Sequence, residues 1–168
     1  INSQVRLAQM VRLPDISKEE EGNIREKLKG FKQRVENGDD FGTLAYLYSE
    51  DPGSAPKNGE LGMTDRSELV PEFANAANGL EAGEMSDIVK TQFGYHLLQM
   101  IDRKGDRINV RHTLLIPQVS PVDLQEEKVF LDSLKGQIEA IDSLTFSLAA
   151  VEYSTDKETR MNGGEMIN

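Results

Sequence analysis

The sequence predicts an α+β fold in which helices are layered on strands, and three observations lead to this prediction. Stretches of alternating polarity at residues 5–11 and 95–101 are typical of half-buried strands. Helical stripes with recognisable start and stop signals lie between them. The element order is β-α-α-β-α-β, and part of that order then recurs, which predicts one complete module followed by a truncated second copy.

The first strand is predicted at Val5 to Val11 and ends at Leu13-Pro14. A helix follows from Ser17, which has Glu20 three positions later in the pattern of a capping box. Apolar side chains then recur at helical spacing up to Gly38, a typical helix stop. Asp40 is positioned to cap a second, shorter helix, and its buried side chains are predicted to be Phe41, Leu44, Ala45 and Tyr48.

The second half of the module contains a short strand at residues 59–63, a helix that carries Phe73, and extended chain from Ile88 to about Asp102. By alternation, His96 faces the same side of its strand as Leu98 and Met100. A histidine on that face is expected to be at least partly buried, so it requires a hydrogen-bond partner.

Composition excludes several classes of function. Nineteen Lys and Arg against 29 Asp and Glu give a net charge of −10, which argues against a nucleic-acid partner. With no cysteine and two histidines, neither disulfides nor a metal site is predicted. No apolar run is long enough for membrane insertion. The chain starts without methionine, so we expect it to be part of a longer protein.

The chain repeats itself after a shift of 103 to 105 positions. Gln9 to Pro14 aligns with His112 to Pro117, and Phe41 to Asp51 aligns with Phe146 to Asp156. A helical stripe also recurs, ending at Ile141. The predicted organisation is therefore a module at 1–103, a charged linker at 104–109, and the N-terminal half of a second module at 110–168, whose apolar face should lack cover.

Several motifs in this order resemble those of the parvulin-type peptidyl-prolyl cis/trans isomerases. In the first module the motifs are Tyr48-Ser49-Glu50-Asp51, Asn58-Gly59-Glu60-Leu61-Gly62, Leu69-Val70-Pro71-Glu72-Phe73, Leu80 to Ser86 and Val89 to His96. The resemblance covers the first module in full and the second module in part. The resemblance implies a small antiparallel sheet with helices packed on it. Tandem modules are similar to the SurA-type folding factors of the Gram-negative periplasm, which implies a periplasmic location, no cofactor, and unfolded or extended proline-containing polypeptides as partners.

The resemblance also implies the site. Leu69 and Phe73 correspond to residues of the family's proline pocket, with Phe93 at its rim and Leu61 beneath. Core packing is the alternative for these residues. Asp51 corresponds to the residue that faces the substrate bond, for which a solvated loop carboxylate is the alternative. Thr91 and His96 correspond to a buried polar network behind that residue.

One substitution departs from the family pattern. The first strand usually supplies a second histidine, and here Gln9 occupies that position, so we predict that Gln9 is the partner of His96 across the sheet. Glutamine hydrogen bonds but does not titrate. The second copy keeps His112 and Asp156 but lacks the pocket. These features leave two hypotheses: an isomerase acting on X-Pro bonds of unfolded envelope proteins, or a catalytically weak module that binds peptides as a chaperone. A scaffold role is a more distant third.

Overall fold

The computed structural model describes residues 6–140 and 144–166, and these fall into two compact units. One unit contains residues 16–118, and the other combines the N-terminal segment up to Asp15 with the chain from Val119 onward. Val5 of the predicted first strand and Ile141 of the second helical stripe lie outside the described ranges. No helix within those ranges is long and apolar enough to cross a membrane.

The unit formed by residues 16–118 contains three α-helices and a four-stranded antiparallel sheet. The helices are α1 (Lys18–Glu36), α2 (Phe41–Tyr48) and α3 (Pro71–Asn78). The strands are β1 (Glu60–Asp65), β2 (Val89–Thr91), β3 (Gly94–Lys104) and β4 (Arg107–Leu115), and they lie in the order β1-β4-β3-β2. The predicted α+β fold is confirmed.

Both predicted helix caps are present. The Ser17 hydroxyl accepts a hydrogen bond from the Glu20 N–H at 3.1 Å, and the Asp40 carboxylate accepts one from the Thr43 N–H at 2.6 Å. Each cap satisfies a backbone donor that has no partner within its own helix, and so fixes where the helix begins.

The sheet carries a hydrophobic core on each face, and β3 contributes to both. Tyr95 and Leu97 pack with α1 and α2, whereas Leu98 and Met100 pack with α3. The predicted alternation of β3 is therefore confirmed. It places His96 on the face toward α3, where only 3% of its surface is exposed.

The predicted linker at residues 104–109 is wrong, because this segment is a hairpin. Lys104 pairs with Arg107, so only Gly105 and Asp106 connect β3 to β4, and Gly105 has a positive φ of 61°. A two-residue Gly-Asp loop matches the twist of an antiparallel pair and joins the strands directly. The strand that was assigned to a second module therefore belongs to the first unit.

The predicted first strand is also misplaced. In the described part of that segment, pairing is limited to an isolated bridge between Ala8 and Glu165, within the second unit. That unit contains α4 (Pro121–Ala140) and α5 (Phe146–Tyr153). In the described part of the chain, its buried apolar side chains are Leu134, Ala149 and Ala150.

Candidate active site

The centre of the site is a pair of histidines on neighbouring strands. In the β3–β4 register His96 lies opposite Leu114, and His112 lies opposite Leu98. The two histidines are therefore diagonal neighbours on one face of the sheet, within reach of each other. Their rings stack at 19° with centroids 5.4 Å apart, and their Nδ1 atoms are separated by 3.1 Å.

One arrangement of protons satisfies the whole chain of polar contacts. His112 Nε2 lies 3.0 Å from Asp51 Oδ2, and a carboxylate only accepts, so this nitrogen carries a proton. Neutral His112 then accepts at Nδ1 from the Nδ1–H of His96. His96 in turn accepts at Nε2 from the Thr91 hydroxyl, 2.8 Å away, and that hydroxyl accepts the Phe93 N–H at 3.1 Å. Both imidazoles are thus neutral, with fixed tautomers.

Ser54 holds the carboxylate end of this chain. Its hydroxyl donates to Asp51 Oδ2 at 2.5 Å and lies 2.9 Å from His112 Nε2. Only 2% of Ser54 is exposed, so the bond is shielded from water. The Gly53 N–H also donates to Asp51, at 3.1 Å. These bonds hold the loop after α2 against β4.

Burial and hydrogen bonding set the ionisation of the site. Burial lowers the pKa of His96 to about 4, with a smaller contribution from His112, while Asp51 acts in the opposite direction. Burial also lowers the pKa of His112, although its bond to Asp51 opposes this. Burial alone would raise the pKa of Asp51, but bonds from Ser54, Gly53 and His112 hold it below the usual value. Near neutral pH the site therefore contains a carboxylate and two neutral imidazoles.

The histidine pair forms one wall of an apolar cavity of about 440 Å³. Phe73 lies edge-on to both rings, with centroid distances of 5.6 Å to His96 and 5.5 Å to His112. Phe93 is half exposed and lies at the opening. The remaining lining residues are Glu50, Asp51, Pro52, Leu61, Glu68, Leu69, Val70, Leu114 and Ile116.

Most of the predicted site residues meet at this cavity. Asp51, His96 and all four predicted pocket residues line it, and Thr91 lies directly behind His96. Leu61 and Leu69 have both of the roles that were considered for them, because they line the cavity and also pack against the core beside α3. Asp51 is hydrogen bonded and half-buried, so it is not simply a solvated loop carboxylate.

The predicted partnership between Gln9 and His96 is wrong. The amide of Gln9 donates to Asp156 at 3.1 Å, and both residues belong to the second unit. His112, which was assigned to the second copy with Asp156, instead completes the first site. The β3–β4 hairpin explains this correction. Strand β4 occupies the place beside β3 that was predicted for the first strand, and it brings His112 next to His96.

The contacts of the first site recur in the second unit at the spacing of the sequence repeat. Gln9 donates a hydrogen bond to Asp156, and this bond corresponds to the one between His112 and Asp51. The Thr159 hydroxyl donates to Asp156 at 2.6 Å, and this bond corresponds to the one from Ser54 to Asp51. The Gln9 N–H donates to the Gly164 carbonyl just as the His112 N–H donates to that of Gly59.

The two repeat glycines are required by this close approach. Gly59 and Gly164 have φ values of 77° and 84°. A Cβ on Gly59 would lie 2.3 Å from the carbonyl oxygen of His112, and a Cβ on Gly164 would lie 2.3 Å from that of Gln9. The aligned hydroxyls at positions 54 and 159 gave a usable signal in the sequence. Sequence reasoning nevertheless missed Ser54.

A family model described as a rotamase, PPIC-type PPIase domain, matches residues 10–102. Chaperone SurA of Methylococcus capsulatus is 48% identical over 82 residues, which are 49% of this chain and 18% of that protein. Chaperone SurA of Burkholderia orbicola is 36% identical over 115 residues, which are 68% of this chain and 25% of that protein. The chain thus spans about a quarter or less of these relatives.

Among solved structures, the peptidylprolyl isomerase PrsA of Bacillus cereus is 32% identical, with a TM-score of 0.41, and covers 67% of this chain and 38% of its own. PrsA of Bacillus anthracis is 27% identical, with a TM-score of 0.42, and the match covers 64% of this chain and 44% of the PrsA chain.

Proposed function

Because the chain belongs to the PPIC-type peptidyl-prolyl isomerase family, we propose that residues 16–118 catalyse cis/trans isomerisation of X-Pro bonds in unfolded or extended polypeptides. The observation that carries this proposal is the histidine pair that ends at Asp51 in the wall of an apolar cavity. The sequence analysis placed Gln9 where the family pattern has a second histidine, and His112 lies next to His96 in the structure.

The reaction breaks no covalent bond, so the site needs no cofactor. Rotation about a peptide bond crosses a barrier of about 18–20 kcal/mol, and an X-Pro bond has cis and trans states of similar free energy. Resonance places negative charge on the oxygen of the planar amide, and twisting removes it. An environment that withdraws water from the amide therefore destabilises the planar state more than the twisted transition state.

The described residues are suited to this task. Leu69 and Phe73 would hold the proline ring, while Leu61 closes the cavity below it and Phe93 shields its opening. The imidazoles and Asp51 would then face the amide as a wall whose hydrogen bonds are already made. Since that wall is fixed by its own partners, it does not need to reorganise during the rotation.

The test is cis/trans exchange of a proline-containing tetrapeptide, measured by NMR with the full 168-residue chain. Leu69→Ala should lower kcat/KM several-fold by opening the pocket, and Phe73→Ala more strongly. Leu47→Ala is the matched control, because Leu47 is 59% exposed and does not line the cavity. A thermal melt of each variant separates loss of the pocket from loss of the fold. If Leu69→Ala and Leu47→Ala behave alike, the pocket assignment is wrong.

The same experiment distinguishes catalysis from the binding-only alternative. Gln9 motivated that alternative, and it bonds to Asp156 rather than to His96. Peptide binding with no exchange above background would nevertheless support it. We further propose a periplasmic location with envelope proteins as clients, on the basis of family resemblance alone. Cell fractionation of the source organism tests the location.

A further inference from the structure

The charged residues at the cavity are all acidic, which bears on the residues that flank the proline of a client. Glu50, Asp51 and Glu68 line the cavity, and in this described part of the chain its lining includes neither lysine nor arginine. Glu50 and Glu68 are exposed, and neither forms an ion pair with another described residue. Glu50 accepts one hydrogen bond, from the Ile116 N–H at 2.5 Å, which leaves its negative charge in place.

Among the described residues that line the cavity, none carries a positive charge that offsets these carboxylates. Buried histidines could have done so, but burial lowers the pKa of both His96 and His112, so both are neutral near pH 7. Leu61, Leu69 and Phe73 give the cavity an apolar floor. When a proline ring occupies that floor, the residues on either side of it must lie near the rim that carries Glu50 and Glu68. Their charges will then interact with the rim over a distance shorter than the screening length of dilute buffer.

We propose that Glu50 and Glu68 select clients by charge, favouring lysine or arginine beside the proline and disfavouring aspartate, glutamate or phosphorylated residues. This inference rests on the proposed function in one respect, since it takes the cavity to be the proline-binding site. It specifies the substrate class beyond that function.

The expected magnitude is moderate, because the rim is exposed. An exposed ion pair is worth about 0.2–1 kcal/mol, which corresponds to roughly a 1.4- to 5-fold change in affinity. Exchanging both flanking residues from lysine to glutamate replaces two attractions by two repulsions. The combined preference should be on the order of tenfold in dilute buffer and should shrink as salt is added.

Three peptides that differ only at the residues flanking proline test the proposal. They contain Lys-Pro-Lys, Gln-Pro-Gln and Glu-Pro-Glu, and for each one the dissociation constant and the catalysed exchange rate are measured by NMR at low and high salt. The expected order of affinity and of kcat/KM is Lys, then Gln, then Glu. Glu68→Gln should lower the Lys-to-Glu ratio about two- to five-fold.

Glu36→Gln is the matched control. It removes the same charge from an exposed position at the end of α1 that does not line the cavity, so it should leave the ratio unchanged. An equal loss in both variants would mean that the net charge of the chain, and not the rim, causes the preference. That result would overturn the proposal.

The outcomes separate this proposal from the proposed function. Exchange of all three peptides at equal efficiency would refute charge selection and leave the proposed isomerase function standing. Binding in the order Lys, Gln, Glu with no exchange would support charge selection and refute the isomerase. Absence of both binding and exchange for every peptide would refute both.

Discussion

Two fragments of equal length distinguish the domain division of the structure from the division that the sequence predicts. Residues 1–103 form the predicted module, whereas residues 16–118 form the compact unit of the structure, and each fragment contains 103 residues. Only the second fragment includes β4. We expect residues 16–118 to fold cooperatively and residues 1–103 to fail to reach the same state.

The magnitude follows from the position of β4 in the interior of the sheet, between β1 and β3. Its buried aliphatic side chains are Ile108, Val110, Leu114 and Leu115. Burying each one contributes about 1.5–3 kcal/mol, or roughly 6–12 kcal/mol together. A typical domain has a net stability of about 5–15 kcal/mol, so loss of β4 removes most or all of it. Loss of the backbone ladders to two neighbouring strands adds to this deficit.

The assay is urea unfolding followed by circular dichroism, combined with the proton–nitrogen NMR spectrum of each fragment. Residues 1–118 serve as a further control, because they contain the N-terminal segment and β4 together. If residues 1–103 give a dispersed spectrum and a cooperative transition like that of residues 16–118, the N-terminal segment can replace β4. The assignment of His112 to the site would then be refuted.

Three further predictions concern the polar chain of the site. His112→Gln should lower kcat/KM about tenfold or more, because it leaves buried partners unpaired at a cost of about 1–3 kcal/mol. Gln9→His should change kcat/KM less than twofold, because Gln9 bonds to Asp156. The reverse pattern would support the predicted partnership of Gln9 with His96. Ser54→Ala should destabilise the fold by about 1–2 kcal/mol and raise the pKa of Asp51, which carboxyl NMR titration measures. Ser54→Thr should restore both the stability and the pKa, because Thr159 makes the equivalent bond in the other unit. The free energy of unfolding should fall by about 3 kcal/mol between pH 6.5 and 4. The reason is that His96 takes up a proton near pH 6.5 in the unfolded chain but only near pH 4 in the folded protein. Urea midpoints that stay constant from about pH 7 to about pH 4.5 would contradict this prediction.

The sequence predicted local structure well because local structure depends on neighbouring residues. The caps at Ser17 and Asp40 need only a side-chain oxygen and the next helical turn, and both form as predicted. The burial of His96 follows from the period of two along β3. The cavity residues were found through the family motifs, which keep their spacing because α3 and the loop before β1 are continuous in the chain.

The partner of His96 could not be predicted in the same way. Two segments of the chain have nearly the same alternating pattern, one with Gln9 and the other with His112, and alternation identifies a strand without identifying its sheet. Family order favoured the earlier segment. The connection between the strands decides the pairing in the structure, and the sequence analysis had assigned the Gly105-Asp106 turn to a charged linker.

The physical basis of that choice has two components. His96 and His112 are 16 positions apart, whereas Gln9 and His96 are more than five times as far apart along the chain. Loop closure costs about 0.6 kcal/mol for each doubling of length, so the nearer strand is favoured by about 1.5 kcal/mol before any side chain makes contact. His112 adds a further advantage, because it can bond to His96 and Asp51 simultaneously through two ring nitrogens in fixed positions. Chain connectivity and side-chain chemistry therefore favour the same pairing, and the histidine that completes the site comes from the strand that follows β3.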